Sequence, residues 1–219
     1  MKYSECMRYE NFNIMPIIGN NKYGIPEIKA EQYTGVSEWV AVEPGLRERP
    51  KNAGLHFFAD DYRFQRLWNN PNRYIVKLQS FKCVASPDFS TYTNYPLALQ
   101  IYNHYKKHWL GAYWQSMGIK VIPTISWSDE SSFDWCFDGE PKNAPVIVSS
   151  VGCCMSESNK SAFLSGFRAM MDTLKPSKVI FFGNPIIPNG WRKETEYEFH
   201  AHYMNEYLNS IKTELKKEA

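Results

Sequence analysis

The chain has 219 residues, 43% of them hydrophobic and 16% aromatic, which is material for one domain with a packed core and excludes a disordered tail. Its 25 basic and 23 acidic residues leave a net charge of +2, too balanced for a general polyanion-binding surface. No run approaches the roughly 18 apolar residues of a membrane span. No apolar leader precedes Cys6, and the 5 cysteines have no metal-like pairing, so the expectation is a reduced, cytoplasmic protein that makes no membrane contact.

Residues 1–53 are broken at short intervals by Pro16, Gly19, Gly24, Pro26, Gly35, Pro44, Gly45 and Pro50. They read as an irregular N-terminal arm or lid carrying one short helix, packed on an α/β domain of residues 54–219. From Gly54 a rhythm begins. LHFFAD is a strand ending in Asp60 and Asp61, and helical spacing follows through Phe64, Leu67 and Trp68. KCVAS is the second strand. A long helix from about Tyr95 to Met117 has Pro96 in its first turn and Gly118 as its stop. KVIPTIS is the third strand and APVIVSS the fourth. A helix from about Lys160 to Leu174 ends at Lys175–Pro176, KVIFFGNP is the fifth strand, and a last helix is expected over Glu194–Lys217.

Strands followed by helices, at intervals of roughly 25 to 35 residues, make βα units and a mainly parallel sheet. Polar residues end nearly every strand, which favours a small or incomplete (βα) barrel; the alternative is an open doubly wound sheet.

In either fold the C-terminal strand ends converge on one rim, where chemistry is expected. The candidate catalytic residues are Asp88, Asp129, Glu130 and Asp134. Asp88 and Asp129 lie beside Phe89 and Trp127 in Ser-rich strand ends, the setting of a partly desolvated carboxylate. Ser86, Ser90, Ser126, Trp127, Ser128, Cys153 and Asn184 are the candidate substrate-binding residues, with Trp127 placed to stack on a base. Set against this is helix capping, which uses the same residue types after a strand.

His104 and His108, at i and i+4, have a spacing that can bind zinc. With Lys106 and Lys107 between them they read better as a solvated basic face, and no residue is assigned as a metal ligand. The aromatic stripe Tyr102, Tyr105, Trp109, Tyr113 and Trp114 reads as core. There is no P-loop, no dinucleotide-binding glycine pattern and no GxSxG elbow.

The strings SPDFSTYTNYPLALQIYN, GAYWQSMGIKVIPTISWSDESSFDWCFDG, VIVSSVGC and KVIFFGNP resemble the domain-of-unknown-function family 4417, over roughly Gly24 to Pro185. The resemblance implies a bacterial phage or mobile-element setting and no particular reaction. Together these readings lead to an expected enzyme, a hydrolase or transferase acting on a nucleotide or nucleic acid. Rim carboxylates would cleave or transfer at a glycosidic or phosphate bond, and the phosphate route would need a divalent cation such as magnesium. The alternatives are a non-catalytic nucleotide- or nucleic-acid-binding protein and a protein-interaction module, either of which could serve evasion of host defence.

Overall fold

Short apolar runs that end in small polar residues fold here as parallel strands, and the longer periodic stretches between them as helices. The computed structural model describes residues 10–48, 50–153 and 155–201. The N-terminal region supplies β1 (Trp39–Ala41) and α1 (Val42–Glu48). Next come β2 (Gly54–His56), α2 (Asp61–Asn69), a 3-10 turn (Pro71–Tyr74), α3 (Ile75–Leu78) and β3 (Cys83–Ala85). The long helix α4 (Leu97–Ser116) leads to β4 (Val121–Ile122), a 3-10 helix (Glu130–Asp134) and β5 (Pro145–Ser149). The chain continues through α5 (Glu157–Leu174), β6 (Lys178–Phe182), a 3-10 turn (Trp191–Lys193) and β7 (Glu196–His200).

All the paired strands run parallel, in the order β1-β2-β3-β4 in one sheet and β5-β6-β7 in the other. A parallel bridge, Thr124 to Ile147, links the two. Among the described strands the order never reverses, so they form no switch point of the kind a doubly wound sheet uses to bind ligands. The expected incomplete barrel is the architecture found, and among the described residues it does not close. At the open seam side chains near β1 meet β7. The Tyr33 hydroxyl donates to Glu198 at 2.7 Å, and the rings of Trp39 and His200 lie 6.5 Å apart.

Strand alternation divides the core. Val146, Val148, Val179 and Phe181 pack with Phe163, Phe167 and Met170 of α5. The residues of opposite parity, Ile147, Ile180 and Phe182, join the core of the first sheet. The second sheet thus turns one face to its helix and the other to the first sheet, which is what curls the array.

The N-terminal segment seats on α4. Ile28 lies against Gly111, where a Cβ would come within 2.6 Å of the isoleucine side chain. The Trp109 indole donates to the Met15 carbonyl at 3.0 Å, and the Lys29 amide donates to Gln115 at 2.8 Å. Trp109 and Trp114 are fully buried, as a core stripe should be. The basic residues of the same helix are buried too: His104, Lys106, Lys107 and His108 are each 7% exposed or less. The expected solvated face is therefore corrected, because an irregular segment covers a helix face whose own pattern looks polar.

A second correction concerns the last expected helix. Glu196–His200 pairs with β6 from Lys178↔Glu196 to Phe182↔His200. Its sequence EYEFH alternates with period two, placing Tyr197 and Phe199 together (rings 5.7 Å apart) and Glu198 with His200 (2.7 Å). The remainder of that expected helix lies outside the described residues. No described helix is long and apolar enough to cross a membrane.

Candidate functional site

The ends of β3 and β4 are fastened to each other. The Thr124 amide donates to the Ser86 hydroxyl and the Thr124 hydroxyl to the Ser86 carbonyl, both at 2.8 Å. The loop after β3 is tied down at Ser90, whose amide (3.1 Å) and hydroxyl (2.9 Å) donate to Asp61 at the start of α2. The Ser90 carbonyl accepts from Asn103 of α4 at 2.6 Å. Ser86 and Ser90 thus rigidify the strand end, and Asp88 is carried between them.

Asp88 is half-buried, and burial pushes its carboxyl up to about 6. The Lys107 ammonium and a hydrogen bond with Ser126 pull the other way, while the Asp61 charge adds to the rise. A carboxyl in this range exchanges protons near neutral pH, as a general acid or base requires. Ser126, in the segment after β4, is the sequence-predicted residue brought to it.

The other candidate carboxylates stand apart. Asp129 is exposed and caps the 3-10 helix, accepting from the Ser131 amide at 3.0 Å and the Ser131 hydroxyl at 2.6 Å. Glu130, also exposed, accepts from Ser165 of α5 at 3.0 Å, and Asp134 is exposed on the same short helix. Among the described residues no hydrogen bond or ion pair joins any of them to Asp88. Trp127 packs on α5: its ring is 5.3 Å from Phe163, and a Cβ on Gly166 would lie 2.2 Å from its indole nitrogen. Ser128 is buried, its amide donating to Ser132 at 3.1 Å while its hydroxyl has no partner. Cys153 is half-buried after β5. Asn184 is exposed, and its carbonyl accepts from Ser150 at 2.8 Å.

Behind Asp88 lies a buried charge cluster that sequence reasoning missed. Lys107 donates to the Thr124 carbonyl at 2.9 Å and to Glu140 Oε1 at 2.8 Å. His108 Nε2 lies 2.9 Å from the same Oε1, and its Nδ1 lies 2.8 Å from the Pro26 carbonyl oxygen. Burial alone would raise the Glu140 carboxyl, but Lys107 and His108 outweigh it and hold it below the usual range. Burial, with the Lys107 and His108 charges, keeps His104 well below the ordinary histidine value. The i, i+4 histidines were the signal for this cluster; nothing in the sequence marked Glu140 as their partner. Two shallow cavities also mark the surface. One, of about 340 Å³, runs from Glu27–Ala30 to Gly139–Pro141; the other, of about 300 Å³, is lined by Glu43, Leu46 and five residues from α1 to α3. Neither is lined by Asp88.

No solved structure matches the chain. Two phage proteins do. The chain is 38% identical to the Gene 1 protein of Mycobacterium phage L5 over 173 residues, covering 77% of this chain and 75% of that protein. It is 36% identical to the Gene 1 protein of Mycobacterium phage D29 over 171 residues, covering 77% of this chain and 63% of that one, less than two thirds of its length. The strings singled out at the strand ends fall within residues 19–198, which the family model described as domain of unknown function (DUF4417) matches, and the chain belongs to that family.

Proposed function

We propose that the protein is an enzyme acting on a nucleotide or nucleic acid, with Asp88 as its proton-transferring carboxyl. The observation that carries this reading is the place of Asp88, half-buried just beyond the C-terminal end of β3 in a parallel sheet, where such folds hold their substrates, and burial there favours a raised carboxyl. In this reading Ser126 orients the substrate, while Asp129, Glu130 and Asp134 lie exposed at the short helix after β4 and, among the described residues, have no assigned contact with Asp88. The phage setting of the relatives supports a nucleotide or nucleic acid as substrate and the host cytoplasm as its place of work. The buried, free Cys83 and Cys136 thiols, each pushed up to about 12 by burial, suit a reducing compartment.

The test is mass spectrometry of small molecules and metals released from the purified protein, alongside Asp88→Asn. An enzyme converts the released nucleotide over time, and Asp88→Asn retains the ligand while losing turnover. If Asp88 acts as a general acid the rate falls as pH rises through about 6, and as a base or nucleophile it rises. Full turnover by Asp88→Asn removes the proposed role. Loss of binding without any conversion by the wild type selects the non-catalytic binder.

A further inference from the structure

His104 and His108 stand one turn apart on α4 with their rings 4.3 Å apart, and Glu140 reaches them from the loop after the 3-10 helix. That approach depends on Gly139, whose φ is +76°. A Cβ there would lie 2.3 Å from the Pro26 carbonyl oxygen and 2.8 Å from His108 Nδ1. One ligating atom from each of His104, His108 and Glu140 lies within 4.8 Å of the other two, and all three residues are buried.

The remaining contacts orient the rings. His108 Nδ1 faces the Pro26 carbonyl at 2.8 Å and His104 Nε2 faces the Asp138 carbonyl at 3.0 Å. A carbonyl oxygen only accepts, so the nitrogen facing it carries the hydrogen. Outer carbonyls fix metal-binding imidazoles in this way, leaving the second nitrogen to the ion. His108 Nε2 then meets Glu140 Oε1 at 2.9 Å, a close contact of two electron-rich atoms that needs a cation or a proton to hold it. Lys107 neutralises Oε1 from its own side, while Glu140 Oε2 is enclosed with no hydrogen-bond partner.

We propose that His104, His108 and Glu140 bind a zinc ion. Two imidazole nitrogens and one carboxylate oxygen are a donor set zinc takes readily, with a fourth position left over, whereas magnesium and calcium require oxygen ligands throughout. The site is separate from the role given to Asp88 and stands or falls without it. Its place is also structural, since it joins α4 to the Gly139–Glu140 loop, and that loop is fastened to the N-terminal segment by the Ile28 amide donating to the Gly139 carbonyl at 2.9 Å.

The test uses the untagged full chain. Zinc is titrated in competition with a chromophoric chelator, and X-ray absorption is recorded on the zinc-loaded protein. The expected result is a 1:1 complex whose shell holds two imidazoles and oxygen with no sulfur. His104→Gln, checked for folding by near-ultraviolet circular dichroism, should bind about 100-fold more weakly. A wild-type chain that takes up no stoichiometric zinc overturns the proposal and leaves a proton between His108 and Glu140. Sulfur in the shell, or unchanged affinity in His104→Gln, overturns it equally by placing the ion elsewhere. Stoichiometry and shell composition are both measured on the wild type, so they decide the matter even if His104→Gln misfolds.

Discussion

Replacing Asp88 with Asn should make the protein more stable at neutral pH. Burial lifts the Asp88 carboxyl from its ordinary 3.8 to about 6. Between those values the folded chain holds a proton that the unfolded chain has released, so stability falls as pH rises from about 4 to about 6 and stays at the lower level above. The rise corresponds to about 3 kcal/mol, a ceiling because the half-buried residue keeps some contact with water. Asn has nearly the same shape and no charge to desolvate. At pH 8 the variant should therefore exceed the wild type by up to ~3 kcal/mol, and near pH 4 the two should converge. Urea unfolding followed by tryptophan fluorescence at both pH values measures this; with a denaturant slope near ~3 kcal/mol/M, as for a chain of this size, the difference at pH 8 is a midpoint shift of up to about 1 M. A variant no more stable than the wild type at pH 8 would refute the reasoning. So would a gap that persists unchanged on acidification, since the charge would then not be its cause. Greater stability together with lost turnover would mark Asp88 as a position held for chemistry against folding.

Three further perturbations probe the frame around it. Glu140→Gln removes the carboxylate bonded to buried Lys107 and His108; breaking such a pair costs about 3–5 kcal/mol, to be read as a lowered urea midpoint, and a loss under about 1 kcal/mol would show that the cluster is wetter than its contacts imply. Gly139→Ala places a Cβ 2.3 Å from the Pro26 carbonyl at a φ of +76°, so a loss of about 2 kcal/mol or more is expected; a neutral variant would mean that the N-terminal segment is not seated on α4 as described. Lys175→Gly relieves a left-handed C-cap on α5 (φ 49°, ψ 56°) and should raise the thermal midpoint through about 1 kcal/mol of stabilisation, unless the lysine side chain contributes more than its backbone strain costs.

Much of the strand framework was legible because its signal is local. VIVS and KVIFF are apolar runs too short for helices and closed by turn residues, and they became β5 and β6 nearly as read. Pro96 and Gly118 bracketed α4 within a residue or two, Gly118 taking the positive φ of 75° that only glycine adopts easily. β7 was missed for a physical reason. With charges at Glu196 and Glu198 its alternation is weak, and its fate as a strand is decided by pairing with β6 and by Lys178, which reaches Glu196 at 2.9 Å and Glu198 at 3.1 Å.

The misreading of α4 has a more general cause, and it bears on where the chemistry lies. Lys106, Lys107 and two histidines in one helix look like a surface because unpaired charges are rarely buried. What reverses that here is long-range. Glu140 comes from 32 residues beyond His108 and Pro26 from 82 residues before it, and neither position carries a mark that ties it to α4. Once both are in place, His108 has the Pro26 carbonyl and Lys107 has the Glu140 carboxylate beside the Thr124 carbonyl, and burying them becomes tolerable. The same burial brings an ammonium close enough to Asp88 to oppose the rise of its carboxyl. The proton affinity of the rim residue, raised by burial, is therefore tempered by a helix that a local reading assigns to solvent. The element that looked most ordinary in the sequence is the one that tunes the candidate site.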